Sequence, residues 1–206
     1  MPDTESLIRY GGLLLVFLAV FGQTGLFFCF FIPSGGLLFT AGVFAATGDL
    51  PENIYFVCSI LILASLLGNI TGYYLGLKAG PIMNKKKDSR FFKEKYIITA
   101  KSFYEKYGNI ALAAGPFFPI IRTFSPIIAG MIKLNFTSFV FFTFIGSVLW
   151  ILSHVMAGYL LGTMPFLQPY LKYIVAGIIL TVTTPIIIGI FRSFNKSKNT
   201  ELKFKE

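Results

Sequence analysis

One arginine stands alone in apolar sequence. Arg122 lies within Phe118-Pro119-Ile120-Ile121-Arg122-Thr123-Phe124-Ser125-Pro126, and no Asp or Glu occurs between Glu105 and Glu201. At bilayer depth such a charge costs about 2.5–3.5 kcal/mol on insertion scales. It therefore calls for an anion or a wet cavity. Prolines on both sides place it at a helix break, where backbone N–H groups are free and Thr123 and Ser125 add donors. An arginine fork at the start of a half-helix suits phosphate or carboxylate. The alternative is an arginine that snorkels to the cytoplasmic interface beside a shallow turn.

Two other polar residues sit in apolar surroundings. Asn69 lies on the Gly68 face of its segment, where an interhelical hydrogen bond and a substrate contact both fit. His154, the only histidine, shares a stripe with Trp150 and Gly158. It reads either as a packed neutral imidazole or as a proton relay, and no partner carboxylate lies near it in sequence. Pro33-Ser34-Gly35-Gly36 matches three residues of the Pro-Ser-Gly-His of membrane lipid phosphatases, but the histidine is missing, and with it that chemistry. No P-loop, haem or zinc-protease pattern occurs. Cys29 and Cys58 offer neither a disulfide framework nor metal-ligand spacing. The sequence points to no enzyme, no metal and no cofactor.

The elements that must hold these residues are set by composition. Of 206 residues, 55% are hydrophobic and 13% charged, with mean hydropathy +0.73. Soluble domains carry about 25% charge. The chain lacks the polar surface for a water-soluble globule, and despite a net charge of +9 it is not read as nucleic-acid-binding. Apolar runs cover 11–32, 34–48, 54–77, 108–132, 134–162 and 173–191. Asp3 and Glu5 before the first run argue against the basic start of a signal peptide.

Nine of the eighteen Lys and Arg lie between Lys78 and Lys106, and five lie between Arg192 and Lys205. Both islands should be cytoplasmic. An even number of crossings then separates them, and 134–162 and 173–191 supply two. Segment 108–132 must enter and return, as a re-entrant hairpin turning near 121–124. The 11–48 segment is either one span plus a dip or a second hairpin turning at Pro33–Gly36, which we favour because of a repeat. In each half a proline-broken apolar stretch leads to Ala-Gly (Ala41-Gly42, Ala129-Gly130). A span then ends in Gly-Tyr-x-Leu-Gly (Gly72 to Gly76, Gly158 to Gly162). One net crossing per unit makes the repeat inverted, a transporter signature. Gly68, Gly72 and Gly76, and likewise Gly158 and Gly162, fall four residues apart, as packing seams do in lipid. The basic island 81–106 interleaves Phe92, Tyr96, Phe103 and Tyr107 on one helical side. It reads as an interfacial amphipathic helix on anionic headgroups.

These residues together resemble the DedA family. The resemblance runs through Gln23-Thr24-Gly25, Ile32 to Gly42, Gly68-Asn69-Ile70-Thr71-Gly72-Tyr73-Tyr74-Leu75-Gly76, Phe103 to Gly108, Phe117 to Phe124, Pro126 to Gly130, and Trp150 to Gly162. It covers about residues 20–162 in order. It implies two opposed re-entrant hairpins and transport of undecaprenyl phosphate or phospholipid, coupled in the family to protons. Arg122 matches the second arginine of the family's Arg-Phe-x-Pro-x-x-Arg motif, and Pro116 stands at the first. Gln23, Gly35 and Asn69 stand where the family carries acidic residues. The intramembrane carboxylates are therefore gone, which puts proton coupling in doubt.

The expected fold is an all-α polytopic membrane protein: two opposed re-entrant helical hairpins in an inverted repeat, further transmembrane helices and an interfacial amphipathic helix. The boundaries are hairpin 11–48, span 54–77, basic segment 81–106, hairpin 108–132, span 134–162, last span 173–191 and basic tail 192–206. The expected function is flipping or scrambling of a phosphate-bearing lipid across a bacterial inner membrane, with a cytoplasmic C-terminus. Arg122, Thr123 and Ser125 form one tip; Ser34, Gly35 and Gly36 form the opposing one, with Asn69 beside them and His154 as proton relay. Partners are membrane lipids with anionic headgroups, and homo-oligomerisation is left open. A non-transporting scaffold for envelope enzymes and a small-anion carrier are the alternatives.

Overall fold

A computed structural model describes residues 4–25, 34–48, 50, 53–85, 104, 108, 110–166, 168–170, 173, 176 and 177. The basic tail and nearly all of the last span and of the amphipathic segment expected from sequence lie outside the described residues. The regular structure described is helical: α1 Thr4–Gly25, α2 Ser34–Thr47, α3 Ile54–Lys85, α4 Ile110–Ala114, α5 Pro119–Met131 and α6 Phe136–Thr163. Short 3-10 turns occupy Gly115–Phe117 and Gln168–Tyr170.

Local chemistry sets the boundaries. Gly48, at φ +80°, supplies the left-handed residue that ends α2. The Asn53 side chain accepts from the Tyr55 N–H at 3.3 Å and opens α3. Asn135 caps α6, accepting from the Ser138 N–H at 3.1 Å. The break before α5 falls at Phe118, which is extended at φ −107°, ψ 114°. Pro119 disfavours helical geometry in the residue before it and is itself suited to the first helical position. The turn is therefore not at 121–124, as expected from the midpoint between prolines. Those residues are inside α5, and the Arg122 N–H already bonds the Phe118 carbonyl at 2.9 Å. Likewise α3 does not stop at Leu77 but continues to Lys85.

At about 1.5 Å per residue, α3 and α6 measure about 48 and 42 Å, enough to cross a hydrocarbon core of about 30 Å. Both are also apolar enough to do so. By contrast α2 and α5, with 14 and 13 residues, reach only about 20 Å.

Glycines decide which short helix lies on which long one. A Cβ on Gly42 would fall 2.0 Å from the Val155 carbonyl, and one on Gly158 would fall 2.0 Å from the Phe39 carbonyl. Gly35 faces His154, and Gly162 faces Ala46 and Val43, so α2 runs alongside α6 in the same direction. A Cβ on Gly76 would lie 1.9 Å from the Ile127 carbonyl, and one on Gly130 would lie 2.0 Å from the Tyr73 carbonyl. Gly72 meets Pro126 and Gly80 meets Met131, so α5 runs alongside α3. Gly68 meets Phe21, Thr24 and Gly25 of α1, whereas Gly146 meets Ala113 of α4. Each short helix thus packs on the long helix of the other half. The positions answering to Gly158 and Gly162 by contact are Gly76 and Gly80, one turn beyond the Gly72–Gly76 match read from sequence.

The long helices run in opposite directions. Tyr73 of α3 packs on Phe139 at 4.9 Å and donates to the Leu134 carbonyl at 2.6 Å, at the start of α6. Nearer the middle of both helices, Ser65 and Ser147 share a buried hydrogen bond of 2.9 Å. Removing one hydroxyl leaves its partner buried without that bond. Ser65→Ala and Ser147→Ala should each cost about 1–3 kcal/mol and the double variant less than their sum, in a double-mutant cycle of detergent unfolding.

The outer faces are apolar. Leu14, Leu15, Leu18, Phe56, Leu63, Phe141, Phe144, Leu149 and Leu160 are exposed. Leu13, Leu14, Phe17, Phe56 and Ile60 line an open groove of about 320 Å³ between α1 and α3. Such surfaces suit lipid as the solvent.

Candidate anion site

The first turns of α2 and α5 are linked through α6. Arg122, in the first turn of α5, is 7% exposed, and its Cζ lies 4.2 Å from the centroid of the Trp150 ring. Its buried Nε has no hydrogen-bond partner, and among the described residues no carboxylate pairs with it. A guanidinium over an indole face gains about 0.5–2 kcal/mol, the upper figure applying when water is excluded. That offsets part of the cost of burying the charge and leaves the Nε–H without an acceptor.

Trp150 is in turn packed on His154, ring centroids 5.1 Å apart at 49°. The His154 Nδ1 lies 2.8 Å from the Trp150 carbonyl oxygen and 3.1 Å from the Ser153 hydroxyl. A carbonyl can only accept, so Nδ1 carries the proton in that bond. The opposite edge of the ring faces the first turn of α2: a Cβ on Gly35 would lie 3.4 Å from both Cδ2 and Nε2. Ser34, Gly35 and Gly36 thus form the opening turn of a helix, whose N–H groups lack intrahelical partners, rather than a loop. Two helix starts, each with partial positive charge, and one guanidinium converge on the Trp150–His154 edge of α6.

The other polar residues expected at the site are differently engaged. Thr123 is buried and donates to the Gln23 carbonyl at 3.3 Å, tying α5 to the end of α1. Ser125 lies 2.5 Å from the Tyr104 hydroxyl, so it anchors the segment before α4 instead of extending the arginine's donor set. Asn69 donates to the Ser65 carbonyl of its own helix at 2.9 Å, and the bond between helices at that level is the Ser65–Ser147 pair. Sequence reasoning did not assign Trp150 to the site. Its signal was there: it is the only tryptophan and lies one turn before His154 on a small-residue stripe.

Residues 32–160 match the VTT domain. Over 178 residues the chain is 35% identical to the protein DedA of Escherichia coli, covering 86% of this chain and 81% of that one. The chain belongs to the DedA family. It is also 35% identical over 184 residues to the membrane protein Rv0364 of Mycobacterium tuberculosis, covering 89% of this chain and 81% of that protein. The inner membrane protein YqjA of Escherichia coli is 29% identical over 178 residues, 85% of this chain and 79% of that one. No solved structure matches. As a DedA-family chain this is a membrane protein, and its exposed apolar belt has that reason. The Gln23 carbonyl accepts from Thr123, the residue after the arginine, and Gly35 faces His154, whose ring packs on the Trp150 indole that Arg122 covers.

Proposed function

We propose that this DedA-family protein moves a phosphate-bearing lipid, undecaprenyl phosphate or a phospholipid, across the bacterial inner membrane. The observation that carries the reading is Arg122: a buried cation with an unpartnered Nε, packed against an indole, at the meeting point of two helix starts. A lipid phosphate supplies what the site lacks, a doubly accepting anion that a guanidinium fork binds bidentately. In this reading α1–α2 and α4–α5 are re-entrant hairpins entering from opposite faces, their tips meeting near the membrane midplane. The contacts of Gly42 with Val155 and of Gly158 with Phe39 are matched by those of Gly130 with Tyr73 and of Gly76 with Ile127, and with the short lengths of α2 and α5 they support that arrangement. The headgroup passes between the tips while its chains stay in lipid. The basic islands set their side as cytoplasmic, and with it the C-terminus.

The test is the purified protein in liposomes with fluorescent undecaprenyl phosphate or phospholipid, with and without a pH gradient. Transbilayer movement above protein-free vesicles is expected for phosphate-bearing lipid. With no carboxylate beside Arg122 among the described residues, movement should persist when the gradient is collapsed. Absence of movement for every phosphate-bearing lipid, by protein verified as folded, overturns the reading.

A further inference from the structure

We infer that Trp150 is the positioning residue of the anion site, the resting place of the Arg122 guanidinium from which an incoming phosphate draws it by exchange. The inference rests on the anion-site reading of Arg122. Trp150 is 5% exposed and is wedged between the guanidinium on one contact and the His154 imidazole on the other. The indole cannot be there to neutralise charge, since it has none. It offers a polarised face that holds a cation without a hydrogen bond and without geometry specific to an anion. A carboxylate in its place would form a charge-assisted pair that each lipid phosphate would have to break. An indole gives the charge up at a smaller cost, so capture and release both stay fast. The bond from His154 Nδ1 to the Trp150 carbonyl orients the imidazole, which packs on the indole and carries the same stack to the first turn of α2.

The chain contains one tryptophan, so tryptophan emission comes from this site alone. In the full-length protein purified in dodecyl maltoside, a detergent without phosphate, Arg122→Gln should change the Trp150 emission maximum or intensity. Titration of the wild type with dihexanoyl phosphatidic acid, and separately with inorganic phosphate, should give a saturable change that Arg122→Gln abolishes. A response to both identifies phosphate itself as the bound group; a response to phosphatidic acid alone identifies the lipid headgroup. Because the indole competes with the anion, Trp150→Leu should bind phosphatidic acid about tenfold more tightly by calorimetry and transport it more slowly, with Trp150→Phe in between. A purely structural tryptophan predicts the reverse, weaker binding that Phe does not restore. An Arg122→Gln spectrum identical to wild type overturns the stack. Calorimetric binding without an emission change overturns the exchange and leaves the anion site standing. No binding of either probe overturns the exchange and the transport reading together.

Discussion

Arg122→Met should leave the protein at least as stable in the membrane while slowing movement of phosphate-bearing lipid by about tenfold to a hundredfold. The two effects have opposite signs for one reason. The guanidinium is buried without a carboxylate among the described residues, so in the resting protein it costs more than it returns. Methionine fills similar length with no charge to desolvate. In the complex with a phosphate, however, even one lost charge-assisted hydrogen bond is worth about 1.5–3 kcal/mol, about one to two powers of ten. Arg122→Lys keeps the charge but not the fork and should fall between. Thermal unfolding in detergent beside lipid movement in liposomes reads both quantities. Loss of stability with unchanged transport would mean that Arg122 only packs.

Adding a single methyl group at Gly42 or Gly130 should destabilise the protein by about 3 kcal/mol or more, at the upper end of overpacking costs. The new Cβ would stand 2.0 Å from a backbone carbonyl oxygen of the facing long helix in either case. No rotamer relieves a clash with backbone, so the helices must part, and with them the dispersion contacts that hold helices together in lipid. Separation of α2 from α6 also withdraws Gly35 from His154, so transport should fall with stability. Gly11→Ala is the control. Nothing lies within 4 Å of its Cβ position in α1, and it should be neutral or stabilising by about 0.5–1 kcal/mol. Folded yield and unfolding temperature of the three variants check the ranking; equal tolerance at all three would refute the close approach.

Composition and local pattern were enough for a membrane chain, a charge out of place at Arg122 and glycine faces on two long helices, and the resemblance of its motifs pointed to the family. Hydropathy, isolated charges and a spacing of four residues are properties of neighbours along the chain, and they survive without knowledge of the fold. The placement of the break before α5 was only half legible. Prolines on both sides of Arg122 announced it, but the steric effect of Pro119 falls on the residue before it, which puts the turn at Phe118 and Arg122 inside a helix. What remained for the tertiary structure were the partners. Ser125 meets Tyr104, Ser65 meets Ser147 at the crossing of α3 and α6, and Gly76 rather than Gly72 answers Gly158. Trp150 becomes a site residue only because α5 delivers Arg122 onto its ring. Such pairings join segments tens of residues apart, and their energy depends on ångström-scale helix approach, which no local periodicity encodes.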